Sequence, residues 1–131
     1  MNTFSIAALL LPVLSATLTA QDLKLEVNAQ SGFEARVGNA SEGSLVILVL
    51  GMQPGAVRLP GGQVLGVQPD MLAGTAIASR GGEATLSVPM GRDVRPFACF
   101  VQAAALHPRL PIDVQGGITL SQVEKVQVGA R

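Results

Sequence analysis

The sequence predicts an all-β protein, a two-sheet antiparallel β-sandwich preceded by an N-terminal signal helix. Three observations lead to that reading. Apolar runs after Leu23 are short and punctuated by Gly and Pro, of which the chain has 15 and 8. No stretch sustains the three-four spacing of an amphipathic helix. Several segments instead alternate strictly between apolar and polar residues, the pattern of a strand with one buried face. With 131 residues, nine Lys+Arg against nine Asp+Glu, and 48% hydrophobic residues, the chain has the size and composition of one globular domain.

The first 20 residues carry no charged side chain, and Ile6-Ala7-Ala8-Leu9-Leu10-Leu11 forms an apolar centre. Ser15, Ala16, Thr17, Thr19 and Ala20 then give the small-residue end that a signal peptidase requires. The expectation is a secretory signal peptide over residues 1–20, cut before Gln21-Asp22, and a single domain over 21–131. Leu18 stands three residues before that cut, where a small residue is usual. The alternative, a retained membrane anchor, needs roughly 20 apolar residues, and this run is shorter and interrupted by Pro12. No stable membrane span is therefore expected after cleavage. With no cysteine beside the cut, no lipid-modified amino terminus is expected either.

Leu23, Leu25 and Val27 alternate with Lys24 and Glu26, which predicts a half-buried strand over 23–27. Residues 33–37 are a weaker strand. Residues 44–50, with Leu45-Val46-Ile47-Leu48-Val49-Leu50, are apolar on both faces and belong at the centre, covered by layers above and below. After Gly51 the sequence reads as a Pro54-Gly55 turn, a short strand at Val57-Arg58-Leu59, a Pro60-Gly61-Gly62 turn and a strand over 63–67. Residues 75–80 and 83–88 flank Gly81-Gly82, so a hairpin with a two-residue primed turn is expected, with Arg80 opposite Glu83. Leu86 and Val88 then point inward, Thr85 and Ser87 outward.

An exposed connection between Pro89 and Pro96 leads to a long strand over 97–106. There Phe97, Cys99 and Val101 share a face, and Ala103, Ala104 and Ala105 admit a close neighbour. Pro108 and Pro111 end that strand, a loop runs through Asp113 and Gly116-Gly117, and residues 118–120 and 123–128 close the chain as strands. Short strands at this spacing predict Greek-key connections and an architecture immunoglobulin-like in general outline. The domain has only three aromatics, Phe33, Phe97 and Phe100, and Phe97 or Phe100 is expected to anchor the core. The terminal strands, 23–27 and 123–128, are the expected sheet edges and the sites of any edge-strand association.

Several turn and strand motifs recur together: Leu50-Gly51, Gln53-Pro54-Gly55, Leu59-Pro60-Gly61-Gly62, Gly81-Gly82 with Leu86-Ser87-Val88-Pro89, and Phe100-Val101-Gln102-Ala103 ending at His107-Pro108. From about Gly38 to Gly129 the chain thereby resembles the small secreted β-sandwich domains of planctomycete-type bacterial exported proteins of unknown function. Phe100 stands where that family has Tyr, His107 where it has Asp, and Val114-Gln115-Gly116 where a Ser-Asn-Gly turn is frequent. The resemblance implies secretion, a bacterial source and a sandwich fold, and it implies no chemistry.

Composition excludes several function classes. There is no Trp and no Tyr, one His and one Cys, too few ligands for a structural zinc site. Asp70, Asp93 and Asp113 are scattered, without an EF-hand loop. Balanced charge without a Lys or Arg run argues against nucleic-acid binding, and Arg92-Asp93-Val94-Arg95 reads as a solvated loop. Neither Gly61-Gly62 nor Gly81-Gly82 opens a phosphate-binding helix. The single Cys99 cannot form a disulfide within the chain and is expected as a buried small hydrophobe rather than a reactive thiol. Asn39-Ala40-Ser41 is a formal glycosylation triplet that a bacterial source would leave unused.

The leading expectation is a secreted, non-enzymatic β-sandwich, a structural or interaction module with no catalytic, cofactor-binding or metal residues, meeting a protein or cell-surface partner. A second reading is loop-based binding of a glycan or apolar molecule at one end of the sandwich, which an exposed Phe33 would favour. The third is a small hydrolase in which His107 works with Asp93 or Asp113 and a serine; it lacks a Gly-x-Ser-x-Gly elbow, and needs a hydroxyl within reach of the imidazole.

Overall fold

The computed structural model describes residues 23–29, 33–88 and 95–128. The expected signal helix and its cleavage site lie outside them, as does Asp93. Among the described residues ten strands follow one another: β1 Lys24–Asn28, β2 Phe33–Gly38, β3 Leu45–Gly51, β4 Pro54–Arg58, β5 Val64–Val67, β6 Met71–Ile77, β7 Ala84–Val88, β8 Phe97–Leu106, β9 Ile118–Leu120 and β10 Glu124–Val128.

One sheet is the antiparallel trio β1-β2-β7. The other has β3 between β6 and β8, and β8 pairs in turn with β9 and β10 along its far side. The β1-β2-β7 sheet faces the β3-β8 sheet as the two halves of an immunoglobulin-like sandwich do, so the predicted fold class holds. The core between them joins Leu25, Phe33, Ala35, Val37 and Leu86 from one side to Val46, Leu48, Val101 and Ala103 from the other. Alternation places each of these: β2 is buried at every second residue from Phe33 to Val37, and Leu23, Leu25 and Val27 face in while Lys24 and Glu26 face out.

The ribbon β4-β5 belongs to neither sheet. It packs Leu65 and Val67 onto the outer face of the β3-β8 sheet, over Val49, Ile47, Phe100 and Leu120. Strand β3 is therefore covered on both faces, as its uninterrupted apolar run predicts. Pro54 and Gly55 lie within β4 and form no turn of their own. Gly55 is required there because a Cβ would stand 2.7 Å from the Gln68 backbone nitrogen where the ribbon returns.

Two further expectations are corrected. The segments either side of Gly81-Gly82 do not pair with each other: β6 pairs with β3 and β7 with β2. Facing each other across the core, with Leu86 3.5 Å from the Cβ position of Gly74, they bury Ala84 and Leu86 and half-bury Ala73 and Ala76. The connecting turn spans Ser79 to Glu83, with Gly82 N–H donating to Ser79 C=O at 2.9 Å and Ser79 N–H to Glu83 C=O at 2.8 Å. Ser79, not Arg80, thus stands opposite Glu83, and of the two glycines only Gly82 has positive φ, at 80°. The aromatic anchor is also different. Phe33 is 3% exposed, whereas Phe97 and Phe100 are half-buried, Phe97 at the edge of the main core and Phe100 under the ribbon with Lys125 Nζ 5.9 Å from its ring centre.

The turn at Gly82 yields a direct test. A Cβ there would lie 2.4 Å from Ala40 C=O, while one on Gly81 meets nothing within 4 Å. Positive φ adds about 1–2 kcal/mol of strain for an L side chain. In urea unfolding Gly82→Ala loses about 2 kcal/mol or more, and Gly81→Ala stays within about 0.5 kcal/mol of wild type or gains slightly; equal losses at the two positions would contradict the turn geometry.

Candidate functional site

Three connections meet at one end of the sandwich because β2, β6 and β8 all finish there and β3, β7 and β9 all begin there. They are residues 39–44, 78–83 and 107–117. Backbone hydrogen bonds tie the first two together: Ala40 N–H to Gly82 C=O at 3.0 Å and Gly43 N–H to Ala78 C=O at 3.0 Å. Gly43 also lies against the Pro108 ring, and Gly61 at the tip of the ribbon approaches the carbonyls of Ile112 and Val114. Asn39 adopts φ of 70°, a left-handed turn position that Asn tolerates well.

The third connection is a compact Ω-type loop whose ends are joined by His107 N–H donating to Gly117 C=O at 2.8 Å. Inside it Val114 N–H donates to Pro111 C=O and Gly117 N–H to Val114 C=O. The half-buried His107 accepts on Nδ1 from the backbone N–H of Arg109 at 3.0 Å and of Leu110 at 3.2 Å. Accepting two N–H groups on Nδ1 places the imidazole proton on Nε2. The ring in this state has no free lone pair with which to act as a base, and serving as one would break the loop's own bracing. Thus the structure gives His107 a role in shaping this loop. Asp113 is exposed further along it.

Held by that bracing, Leu110, Ile112 and Val114 are 41%, 48% and 40% exposed. Their alternation through Pro111 and Asp113 is visible in the sequence but reads there only as a loop, because nothing in one chain says that an alternating stretch will find no strand partner. Leu-Pro-Ile-Asp-Val is the signal that could have drawn attention to it.

Gln102 is the second residue with a role that the strand pattern alone did not reveal. Although 4% exposed, it accepts on Oε1 from Gly66 N–H at 2.8 Å and donates from Nε2 to Ser121 C=O at 2.7 Å. Ser121 Oγ accepts from Ala103 N–H at 2.9 Å and donates to Gln122 C=O at 2.8 Å. Gln63 Nε2 donates to Ile118 C=O. These bonds fasten ribbon, β8 and the β9-β10 connection to one another at the base of a cleft of about 360 Å³. A glutamine amid Val and Ala on a buried strand is the sequence sign of such a junction, since buried polar groups are almost always paired.

A smaller groove of about 210 Å³ crosses the solvent face of β1-β2-β7, lined by Lys24, Glu26, Arg36 and Glu83 among others. Mixed charge of this kind is the ordinary outer face of a half-buried sheet. Cys99 is buried in the main core, and burial pushes its thiol above the ordinary range, away from the thiolate that a nucleophile needs. Phe33, being buried, has no ring face to offer a sugar. Among the described residues no three His, Cys, Asp or Glu side chains gather as a metal site, and no helix is long and apolar enough to cross a membrane.

The Gln102 junction is testable by Gln102→Leu, which leaves the Gly66 N–H and Ser121 C=O without their partner. An unsatisfied buried group costs about 1–3 kcal/mol, so chemical unfolding shows a loss in that range and amide exchange at Gly66 accelerates. A loss under about 0.5 kcal/mol with unchanged exchange would show that the ribbon is held by apolar packing alone.

Compared with known proteins, the chain matches no family model, no curated protein and no solved structure at a significant level.

Proposed function

We propose that this chain is an exported, non-enzymatic β-sandwich that serves as an interaction module, and that the loop end of the sandwich is the surface it presents. The observation that carries the reading is the Ω-type loop: three apolar side chains, Leu110, Ile112 and Val114, are held out to solvent by backbone bonds and by the His107 ring. Rigid loops with apolar exposure are where sandwich domains commonly place recognition. Preorganisation lowers the conformational cost of binding, which fits a contact surface better than a slack connection. Export rests on the apolar leader with its small-residue end, and a bacterial source rests on the resemblance to planctomycete-type exported domains.

The second reading, a pocket for a glycan or small apolar molecule, receives less support because neither cleft described above is lined by these three residues and the buried Phe33 has no exposed ring face. The hydrolase reading would require His107 to surrender its two amide bonds.

A photo-crosslinking amino acid placed at Ile112, and separately at Thr85 on the opposite sheet face, is tested in the producing cells, followed by intact mass spectrometry of the purified protein. The reading predicts a protein adduct at position 112 and none at 85, on a chain beginning at Gln21. No adduct at 112, a chain that keeps Met1, or a small molecule or metal released from the purified protein would overturn it.

A further inference from the structure

Among the described residues the sandwich has four lateral edges, and three of them carry protection against pairing with another chain. Strand β1 has Lys24 and Glu26 and is linked to the other sheet where Leu23 N–H donates to Leu120 C=O and Leu23 bridges Ser121. Strand β10 carries Glu124 and Lys125. Strand β7 is short, with Glu83 just before it and exposed Thr85 and Ser87. The fourth, β6, is different: Met71-Leu72-Ala73-Gly74-Thr75-Ala76-Ile77 contains no charge and no proline. Among the described residues it pairs only with β3. Edge strands of this length ordinarily carry Lys, Pro or other blocking residues.

The side chains around that edge are apolar as well as uncharged. Leu72 and Ile77 are 63% and 62% exposed. They flank the outer face of the β3-β8 sheet beyond the part that the ribbon covers, since Leu72 lies opposite Val49 and Ile77 opposite Leu45. Alternate residues of an edge strand also turn N–H and C=O groups away from their single partner. The edge therefore offers both unsatisfied backbone groups and bare apolar area.

Charge distinguishes what could fit. Asp70 stands immediately before β6, its Oδ2 fixed by Met52 N–H at 2.9 Å, and Arg80 stands beyond its end; both are exposed. An antiparallel strand of the same sequence brings the Asp70 end of each strand against the Arg80 end of the other, twice by symmetry. A parallel copy would set like charge against like. From this we infer that β6 is a self-association edge, pairing antiparallel with β6 of a second copy of this chain about a two-fold axis near Thr75. The β3-β8 sheet then continues from one protomer into the next, Leu72 and Ile77 are covered by the partner, and the interface is isologous. The extra residue Ala73, which the register between Leu48 and Val49 leaves unpaired, limits the regular ladder to the Gly74–Ile77 side of the strand. The inference is independent of the loop surface proposed above, which lies at the end of the sandwich rather than along its side.

Sedimentation equilibrium of the purified protein from about 1 μM to about 1 mM, the range of weak to moderate association, tests it. Wild type shows a weight-average mass that doubles with rising concentration. The Leu72→Lys/Ile77→Lys variant, altered only at exposed positions, stays monomeric at every concentration and at about 1 μM, the dilute end where wild type is also monomeric, keeps the wild-type melting temperature. A Leu110→Ser/Ile112→Ser/Val114→Ser variant still dimerises. Wild type that remains monomeric throughout, or a doubly lysine-substituted chain that still dimerises, would overturn the inference.

Discussion

Val46, Leu48 and Leu50 on one side of β3, and Ile47 and Val49 on the other, must all be kept from water, and the described residues form two main sheets with which to do it. Each buried aliphatic side chain contributes about 1.5–3 kcal/mol, against a net stability of about 5–15 kcal/mol for a whole domain. Neither face of β3 can be left wet. The β1-β2-β7 sheet covers the first set of residues, and the excursion of the chain through β4 and β5 exists to cover the second. Several other features follow from where that ribbon must sit. Gly51 and Gly55 let the Val67–Gln68 backbone pass closely, Pro60-Gly61-Gly62 turns the ribbon, and Gln102 receives its Gly66 amide.

Covering the outer face with two strands only is also what leaves β6 bare. The ribbon reaches Val49, Ile47 and Phe100, and it stops short of Leu72 and Ile77. Stability and association are thus connected: the same shortage of covering layers that makes the Gln102 junction necessary at one side leaves an apolar margin at the other. At the end of the sandwich the demand is different. There the connections 39–44 and 78–83 are bonded to each other, and the loop from His107 to Gly117 is bonded to itself, so its apolar residues project from a fixed base.

Much of the fold was legible because period-two alternation states which face is buried regardless of partner. Leu23, Leu25 and Val27, the residues of β2, and Leu86 with Val88 all lie on the expected face. The central position of β3 followed from its lack of a polar face. Partner choice was not legible, because alternation is silent on whether two strands lie side by side or face to face. That is why the segments about Gly81-Gly82, which read as one hairpin, turned out to divide between two sheets. The terminal strands are edges as expected, but chain order could not reveal that β6, in mid-sequence, is an edge too. The core anchor differs for a related reason: depth depends on how far along a strand its neighbours reach, and Phe97 lies beyond the last β8 residue that pairs with β3, Phe100, while Phe33 is buried in the main core. Of the site, Cys99 and its burial were readable from a single apolar stretch. His107 drew attention as a rare residue, and only the hydrogen bonds at Nδ1 revealed what it does.

Strands β3 and β8 are the ones that the rest of the molecule covers. Native-state amide exchange measures this residue by residue. Amides of residues 46–50 and 101–105 are expected to exchange only through global unfolding, with one common free energy, while those of β6 and of the ribbon open earlier. Exchange within β3 as fast as that in β6 would contradict it.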